Sequence, residues 1–210
     1  AISKTTPLEG APTVQGATGP DEQLVSVAEK YAAENGIDLK RQGEYVEVDE
    51  ERAKRIADAY EQMADDPQNP KVKEAYAELI KQTKAQYQAL VDAGYKFWFI
   101  DLNNPENIDY ISSPFNAMRD LRQNKTIGVF PTEAGFGTDE SVDVSKNPLL
   151  EDTGITWAVG GVDGTTQVAV SANDLFRAVH DAFGHGLEGA GFRAKGEENA
   201  FQAHSRLYTG

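Results

Sequence analysis

The stretch Ser171–Gly186, SANDLFRAVHDAFGHG, decides how the C-terminal half of the chain folds. It begins with Ser171 and, three residues later, Asp174, which is the spacing of a capping box with Asp in place of the usual Glu. Apolar residues then recur at helical spacing on one face: Leu175, Phe176, Val179, Ala182 and Phe183. The sequence therefore predicts a helix that carries His180 and His185.

The chain has three histidines, and all of them lie near its C-terminal end. His180 and His185 are separated by five positions, so on a regular α-helix their side chains point roughly 140° apart and do not share a row. A π-type turn would bring the two rings closer, and Gly184 supplies the backbone freedom for one. We therefore expect a local departure from α-helical geometry if both imidazoles bind one ion.

A second helix is predicted after the glycine-rich segment Gly186–Gly196, which can turn the chain back over the first helix. On this second helix Glu197 and His204 lie on the same face, because they are seven residues apart. Glu198 is displaced from that face by about 100°. Glu197 is therefore the predicted inward carboxylate, and Glu198 is the alternative.

Two histidines and one carboxylate form a set that binds non-haem Fe(II) and leaves positions open for oxygen or substrate. We predict His180, His185 and Glu197 as metal ligands, with oxidative chemistry on a small molecule or a protein side chain. A three-histidine site that includes His204 suits Zn(II) equally well. Asp181 and His204 are the candidate catalytic residues, because a hydrogen bond to a ligand imidazole fixes its tautomer.

The motif HDAFGH, His180–His185, resembles the iron-binding stretch His-Asp-x-Phe-Gly-His of the pterin-dependent aromatic amino acid hydroxylases. In that family both histidines are iron ligands, so the resemblance implies the same role for His180 and His185. The carboxylate ligand of that family lies several tens of residues further along, whereas Glu197 follows His185 by about a dozen residues. The resemblance therefore covers the histidine pair and not the carboxylate.

A broader likeness runs from about Ala64 to Gly210. Its segments are DDPQNPKVKEAYAELIKQTKAQYQAL, VFPTEAGFG, NPLLEDTGI and the C-terminal stretch that begins at Asn173. They are similar to a family of phage-encoded proteins and prophage polyvalent-protein segments. The resemblance implies a phage protein located in the host cytoplasm or the virion, with a larger phage polypeptide or the virion itself as a partner. Members of that family continue beyond this point, which leaves open a C-terminal truncation at Gly210.

Two other classes of function stay open. The same residues could hold zinc, either as a structural ion or as one that activates water for hydrolysis, with Glu197 or Glu198 as general base. Alternatively, the protein is a non-enzymatic virion or host-interaction module, and its histidines are polar residues of the interior. Metal content and the response of thermal stability to added metal distinguish these classes.

The remainder of the chain predicts one α+β domain at residues 21–210, preceded by a disordered arm at 1–20. N-terminal helices come first, a small central sheet with a hairpin follows, and the C-terminal helix pair carries the metal site. Helices are predicted at 21–36, 49–63 and 69–94, the last two as a helical hairpin, and from Ser113 onward. Strands are predicted at 95–102, 126–130, 155–160 and 165–170, with the segment 131–148 as a loop.

Composition and net charge limit the classes of molecule that the protein is expected to bind. The formal net charge of −14 opposes binding to nucleic acid, whose backbone is also negative. The longest apolar stretch, Phe97–Ile100, is far shorter than the roughly 20 residues of a membrane-spanning helix, so no membrane insertion is expected. Because the chain contains no cysteine, any metal site must use nitrogen and oxygen ligands.

Overall fold

The computed structural model describes residues 21–39, 68–111, 114–132, 148–186, 201 and 204–209. The predicted arm at 1–20 and the predicted helix at 49–63 lie outside these residues, as does most of the loop predicted at 131–148. Within them the chain has an α+β fold, as predicted. No helix in this part of the protein combines the length and the apolar character needed to cross a membrane.

The described helices and strands are interspersed along the chain. The α-helices are α1 (Glu22–Glu34), α2 (Pro70–Asp92), α3 (Pro105–Ile111), α4 (Pro114–Asn124) and α5 (Ala172–His180). The strands are β1 (Lys96–Phe99), β2 (Thr126–Val129), β3 (Asp152–Val159) and β4 (Gln167–Ser171). Short turns of 3-10 helix at Pro148–Leu150 and of π-helix at Asp181–Gly186 complete the set.

The four strands form one mixed sheet in the order β2-β1-β3-β4. β1 is parallel to both β2 and β3, and β3 pairs with β4 as an antiparallel hairpin. The predicted hairpin is therefore confirmed, and its turn closes where Gly164 N–H donates to the Gly161 carbonyl at 3.1 Å. A parallel pair requires a crossover connection, and α3 and α4 lie between β1 and β2.

Two of the helix starts use the same signal, an asparagine followed by a proline. Asn69 caps α2 by accepting a hydrogen bond from Lys71 N–H at 3.0 Å, with Pro70 as the first helical residue, as predicted. Asn104 repeats the arrangement at α3, where its side chain accepts from Glu106 N–H at 3.0 Å. The helix α3, which Pro105 opens, is not among the predicted helices.

The predicted capping box at the start of α5 is confirmed. The Ser171 hydroxyl accepts from Asp174 N–H at 3.1 Å, and the Asp174 carboxylate accepts from Ser171 N–H at 3.0 Å. The buried Asp174 also accepts from the backbone N–H of Thr132 at 2.8 Å and from the Thr132 hydroxyl. One carboxylate thus fixes both the start of α5 and the chain that leaves β2.

The core lies between the helices and one face of the sheet. It combines Phe97 and Phe99 of β1 with Ile127 and Val129 of β2, which sit opposite them in the parallel register. Side chains of the helices cover this face: Leu24, Ala28 and Tyr31 from α1, Leu90 from α2, and Leu175, Ala178 and Val179 from α5. α5 thereby packs against α2, and the π-helical turn that follows α5 packs against α1.

Apolar residues that recur at helical spacing along 69–94 predict a buried stripe ending in Tyr87, Leu90 and Val91, and the face that α2 buries differs from it. Leu90 is fully buried as expected, but Val91, which belonged to the predicted stripe, is 38% exposed. The buried positions beside Leu90 are instead polar, namely Gln82, Thr83 and Gln86. Buried amides and hydroxyls need hydrogen-bond partners, so this polar stripe must face other polar groups.

Candidate metal centre

The expected departure from α-helical geometry is present at the histidine motif. His180 is the last residue of α5, and the chain continues as a π-helical turn at Asp181–Gly186. The wider turn places the rings of His180 and His185 with centroids 5.2 Å apart and planes at 87°. A spacing of five residues thus brings two imidazoles into contact, although a regular helix would separate them.

The π-helical turn is held by close packing. Phe183 and Ala182 within it are fully buried. A Cβ atom at Gly186 would lie 2.5 Å from Leu24 Cδ1, so a side chain there would force Leu24 to shift where the turn meets α1. The Gly186 carbonyl also accepts from Asp21 N–H, the N-cap residue of α1, at 3.0 Å. The position of His185 is therefore set by contacts with α1 as well as by α5.

His204 joins the pair from the C-terminal segment of the chain. Its ring centroid is 5.5 Å from that of His180, and the two Nδ1 atoms are 3.4 Å apart. His204 is only 2% exposed, and Phe176 packs against it with ring centroids 5.3 Å apart. All three histidines of the chain therefore form one buried or half-buried cluster, which we call the histidine cluster: His180, His185 and His204.

His204 is neutral in this environment. Burial, and then the neighbouring His180, hold the pKa of His204 well below its usual range. On its other side, His204 Nε2 lies 2.8 Å from Gln86 Oε1, an amide oxygen on the buried polar stripe of α2. A neutral imidazole that carries an outer hydrogen bond is the form in which histidine binds metals.

Some of the predicted metal ligands lie within the described residues and others lie outside them. His180, His185 and His204 come together, whereas Glu197 and Glu198 lie outside the described residues. Asp181 begins the π-helical turn. Burial raises the pKa of Tyr110, and the charge of Asp181 makes a smaller contribution in the same direction. Within the described ranges, no three or more His, Asp or Glu side chains are arranged to hold a metal ion.

Gln86 is the contact that sequence reasoning missed. It lies 118 residues from His204, and its polar side chain lay off the predicted apolar stripe of α2. The available signal was the group formed by Gln82, Thr83 and Gln86, polar residues that recur at helical spacing beside the apolar Tyr87 and Leu90. Such a group indicates a helix face that packs against polar backbone or side chains.

No family model matches the chain, and neither a curated protein nor a solved structure matches it. The resemblances to the aromatic amino acid hydroxylases and to the phage family therefore stay predictions. The class of protein defined by the structure is an α+β domain with a buried histidine cluster.

Proposed function

We propose that this protein binds one divalent transition-metal ion at the histidine cluster. The observation that carries the proposal is the 3.4 Å separation of the His180 and His204 Nδ1 atoms. Two imidazole nitrogens bound at about 2.0–2.1 Å to a tetrahedral ion are themselves about 3.4 Å apart. The pair is therefore already spaced as two ligands of one ion, with the His185 ring beside His180.

The ion that we propose is Fe(II), with Zn(II) as the alternative. The resemblance of HDAFGH to an iron-binding motif supports Fe(II), and Glu197 as a third ligand would complete a 2-His-1-carboxylate set with His180 and His185. Such a centre leaves positions open and would oxidise a small molecule or a protein side chain. A set of three neutral imidazoles instead suits Zn(II), for a structural role or for hydrolysis.

Anaerobic titration of the metal-free chain with Fe(II), and separately with Zn(II), tests the proposal when followed by metal analysis after desalting. We expect one ion per chain, and loss of Fe(II) binding in His180→Ala and in His185→Ala. His204→Ala should lose Zn(II) binding if the three histidines form the site. Glu197→Ala and Glu198→Ala form a matched pair, of which only the first should weaken Fe(II) binding. Absence of stoichiometric metal, or wild-type binding by the histidine variants, would overturn the proposal.

A second candidate is a non-enzymatic virion or host-interaction module. It is favoured by the same 3.4 Å contact, which also fits a long hydrogen bond between two imidazoles, and by the lack of a three-ligand group in the described ranges. Metals would then leave the unfolding temperature unchanged, because a ligand stabilises a protein only when it binds the folded state more tightly. Thermal unfolding in EDTA, Fe(II) and Zn(II) separates the two candidates.

A further inference from the structure

The segment His204–Thr209 is attached to α2 by the polar stripe of that helix. Gln82 contacts the backbone of Thr209 through both ends of its amide, donating to the carbonyl and accepting from the N–H, each at 2.8 Å. The hydroxyls of Thr83 and Tyr208 are 2.6 Å apart. Gln86 donates to the Leu207 carbonyl at 3.0 Å. These bonds follow successive turns of α2 and hold three consecutive residues of the segment.

Gln86 binds two partners at once. Its Nε2 donates to the Leu207 carbonyl, which fixes the orientation of the amide, and its Oε1 then faces His204 Nε2 at 2.8 Å. Gln86 is fully buried, and so is the Leu207 side chain. The side chain that anchors the backbone of the segment therefore also contacts its imidazole.

The orientation of the Gln86 amide determines the tautomer of His204. An amide oxygen can only accept a hydrogen bond, so His204 Nε2 must carry the proton. In the neutral imidazole, the form that binds a metal, a proton on Nε2 leaves the lone pair on Nδ1. That lone pair lies on the side of His180, 3.4 Å from its Nδ1. Gln86 thus presents His204 to the neighbouring histidine through one defined nitrogen.

We infer that Gln86 is a positioning residue that couples metal binding at His204 to docking of the segment His204–Thr209 onto α2. The inference rests on the proposed metal site. Docking places the His204 lone pair in the site, so loosening the segment must weaken metal binding. By linkage, a bound metal must stabilise the docked segment by the same factor. The occupancy of the site therefore regulates the order of the C-terminal segment.

The first test uses the metal-free protein, so that its outcome does not depend on metal binding. Long-range proton–nitrogen NMR of the wild-type chain should show His204 protonated at Nε2 and unprotonated at Nδ1. The Gln86→Leu variant should lose this preference. The Gln86→Glu variant should retain it, because glutamate keeps an oxygen that accepts from His204 Nε2. An Nδ1-protonated His204 in the wild-type chain overturns the role of Gln86.

The second test measures Zn(II) affinity together with hydrogen exchange of the amides of Leu207, Tyr208 and Thr209. We expect Zn(II) to slow exchange of these amides, and Gln86→Leu to weaken Zn(II) binding by about 10–100-fold. Gln82→Leu loosens the segment at Thr209 without touching His204, and should also weaken binding. Gln88→Ala, an exposed glutamine on the same helix, is the matched control and should change neither quantity.

The outcomes separate the inference from the proposed function. If Gln82→Leu speeds exchange of the segment but leaves Zn(II) affinity unchanged, the coupling is wrong even though the metal site stands. If the wild-type chain binds no Zn(II) and no Fe(II), the proposed function fails and the coupling fails with it. In that case the NMR result alone decides whether Gln86 sets the tautomer.

Discussion

The two faces of the sheet enclose interiors of different chemistry. On one face, the helices that cover Phe97 and Phe99 carry the histidine cluster. There His204 lies within hydrogen-bonding distance of Gln86 and His180. On the other face, Trp98 packs edge-on against Tyr110 with ring centroids 5.0 Å apart. We call this second site the tryptophan contact: Trp98, Tyr110 and Gly128.

The tryptophan contact is specified mainly by shape. Gly128 lies opposite Trp98 in the parallel register, and a Cβ atom there would come within 2.6 Å of the indole ring. A single hydrogen bond completes the contact, from Gly128 N–H to the Tyr110 hydroxyl at 3.0 Å. The histidine cluster depends instead on directional bonds, whose geometry a change of one atom type disrupts. A change of side-chain volume within the contact should therefore disrupt the tryptophan contact, and a change of polarity should disrupt the histidine cluster.

Phe183→Ala should give the largest loss of stability. Phe183 is fully buried in the π-helical turn beneath the histidine cluster, and large-to-small changes of this kind cost about 3–5 kcal/mol. Phe201→Ala removes the same side chain at a position that is 60% exposed, and should change stability by less than about 0.5 kcal/mol. Urea unfolding measures both. Equal losses in the two variants would show that the turn is not part of the core.

Gly128→Ala tests the tryptophan contact and should cost about 1–3 kcal/mol, because a methyl group overlaps the indole ring. A double-mutant cycle with Trp98→Phe is the control, since the smaller ring makes room for the methyl group. The double variant should be more stable than the two single losses predict. Simple additivity would mean that the indole ring is not what excludes a side chain at position 128.

Asp174→Ala should cost about 1–2 kcal/mol by removing the carboxylate half of the α5 capping box, and with it the bonds to Thr132. Because α5 carries His180, the variant should also lower the affinity of the histidine cluster for Zn(II). Asp163 lies at an exposed position in the hairpin turn and caps no helix, so Asp163→Ala removes the same charge without affecting a helix start. The stability and the Zn(II) affinity of this control should match those of the wild type. A loss of either in Asp163→Ala would show that the change in net charge is the cause.

Local signals predicted much of the fold. The caps at Asn69 and Ser171 and the hairpin turn at 162–164 act over a few residues, so the sequence predicts them directly. The π-helical turn was also predictable, because two histidines at a five-residue spacing next to Gly184 require one if they are to meet. The cap at Asn104 carries the same signal as the cap at Asn69, an asparagine followed by a proline, but the predicted helices did not include one there.

The contacts of the histidine cluster across the fold were not predictable from local pattern. His204 meets Gln86 across 118 residues. Periodicity identifies the buried face of a helix by its apolar residues, whereas this face of α2 buries polar side chains that hydrogen-bond to another segment. Likewise, Trp98 and Gly128 meet only through the register of two parallel strands. Such contacts depend on tertiary pairing, which periodicity within one element does not contain.

The smallest expected effect is the pH response, in which the two sites should act in opposite directions. Burial lowers the pKa of His204, so the folded state gains stability from a neutral imidazole above the unfolded pKa of about 6.5 and loses it as the pH falls below that value. Burial raises the pKa of Tyr110, so its contribution is complete below a pH of about 10 and is lost above it.

Each titrating group changes the free energy of unfolding by no more than about 1.4 kcal/mol per pH unit. Urea unfolding of the metal-free chain across pH measures both limbs. His204→Gln should flatten the acid limb alone, because a glutamine cannot be protonated there, and Tyr110→Phe should flatten only the alkaline limb. If one variant altered both limbs, the titrations of His204 and Tyr110 would be coupled through the sheet between them, and the two sites would not be independent.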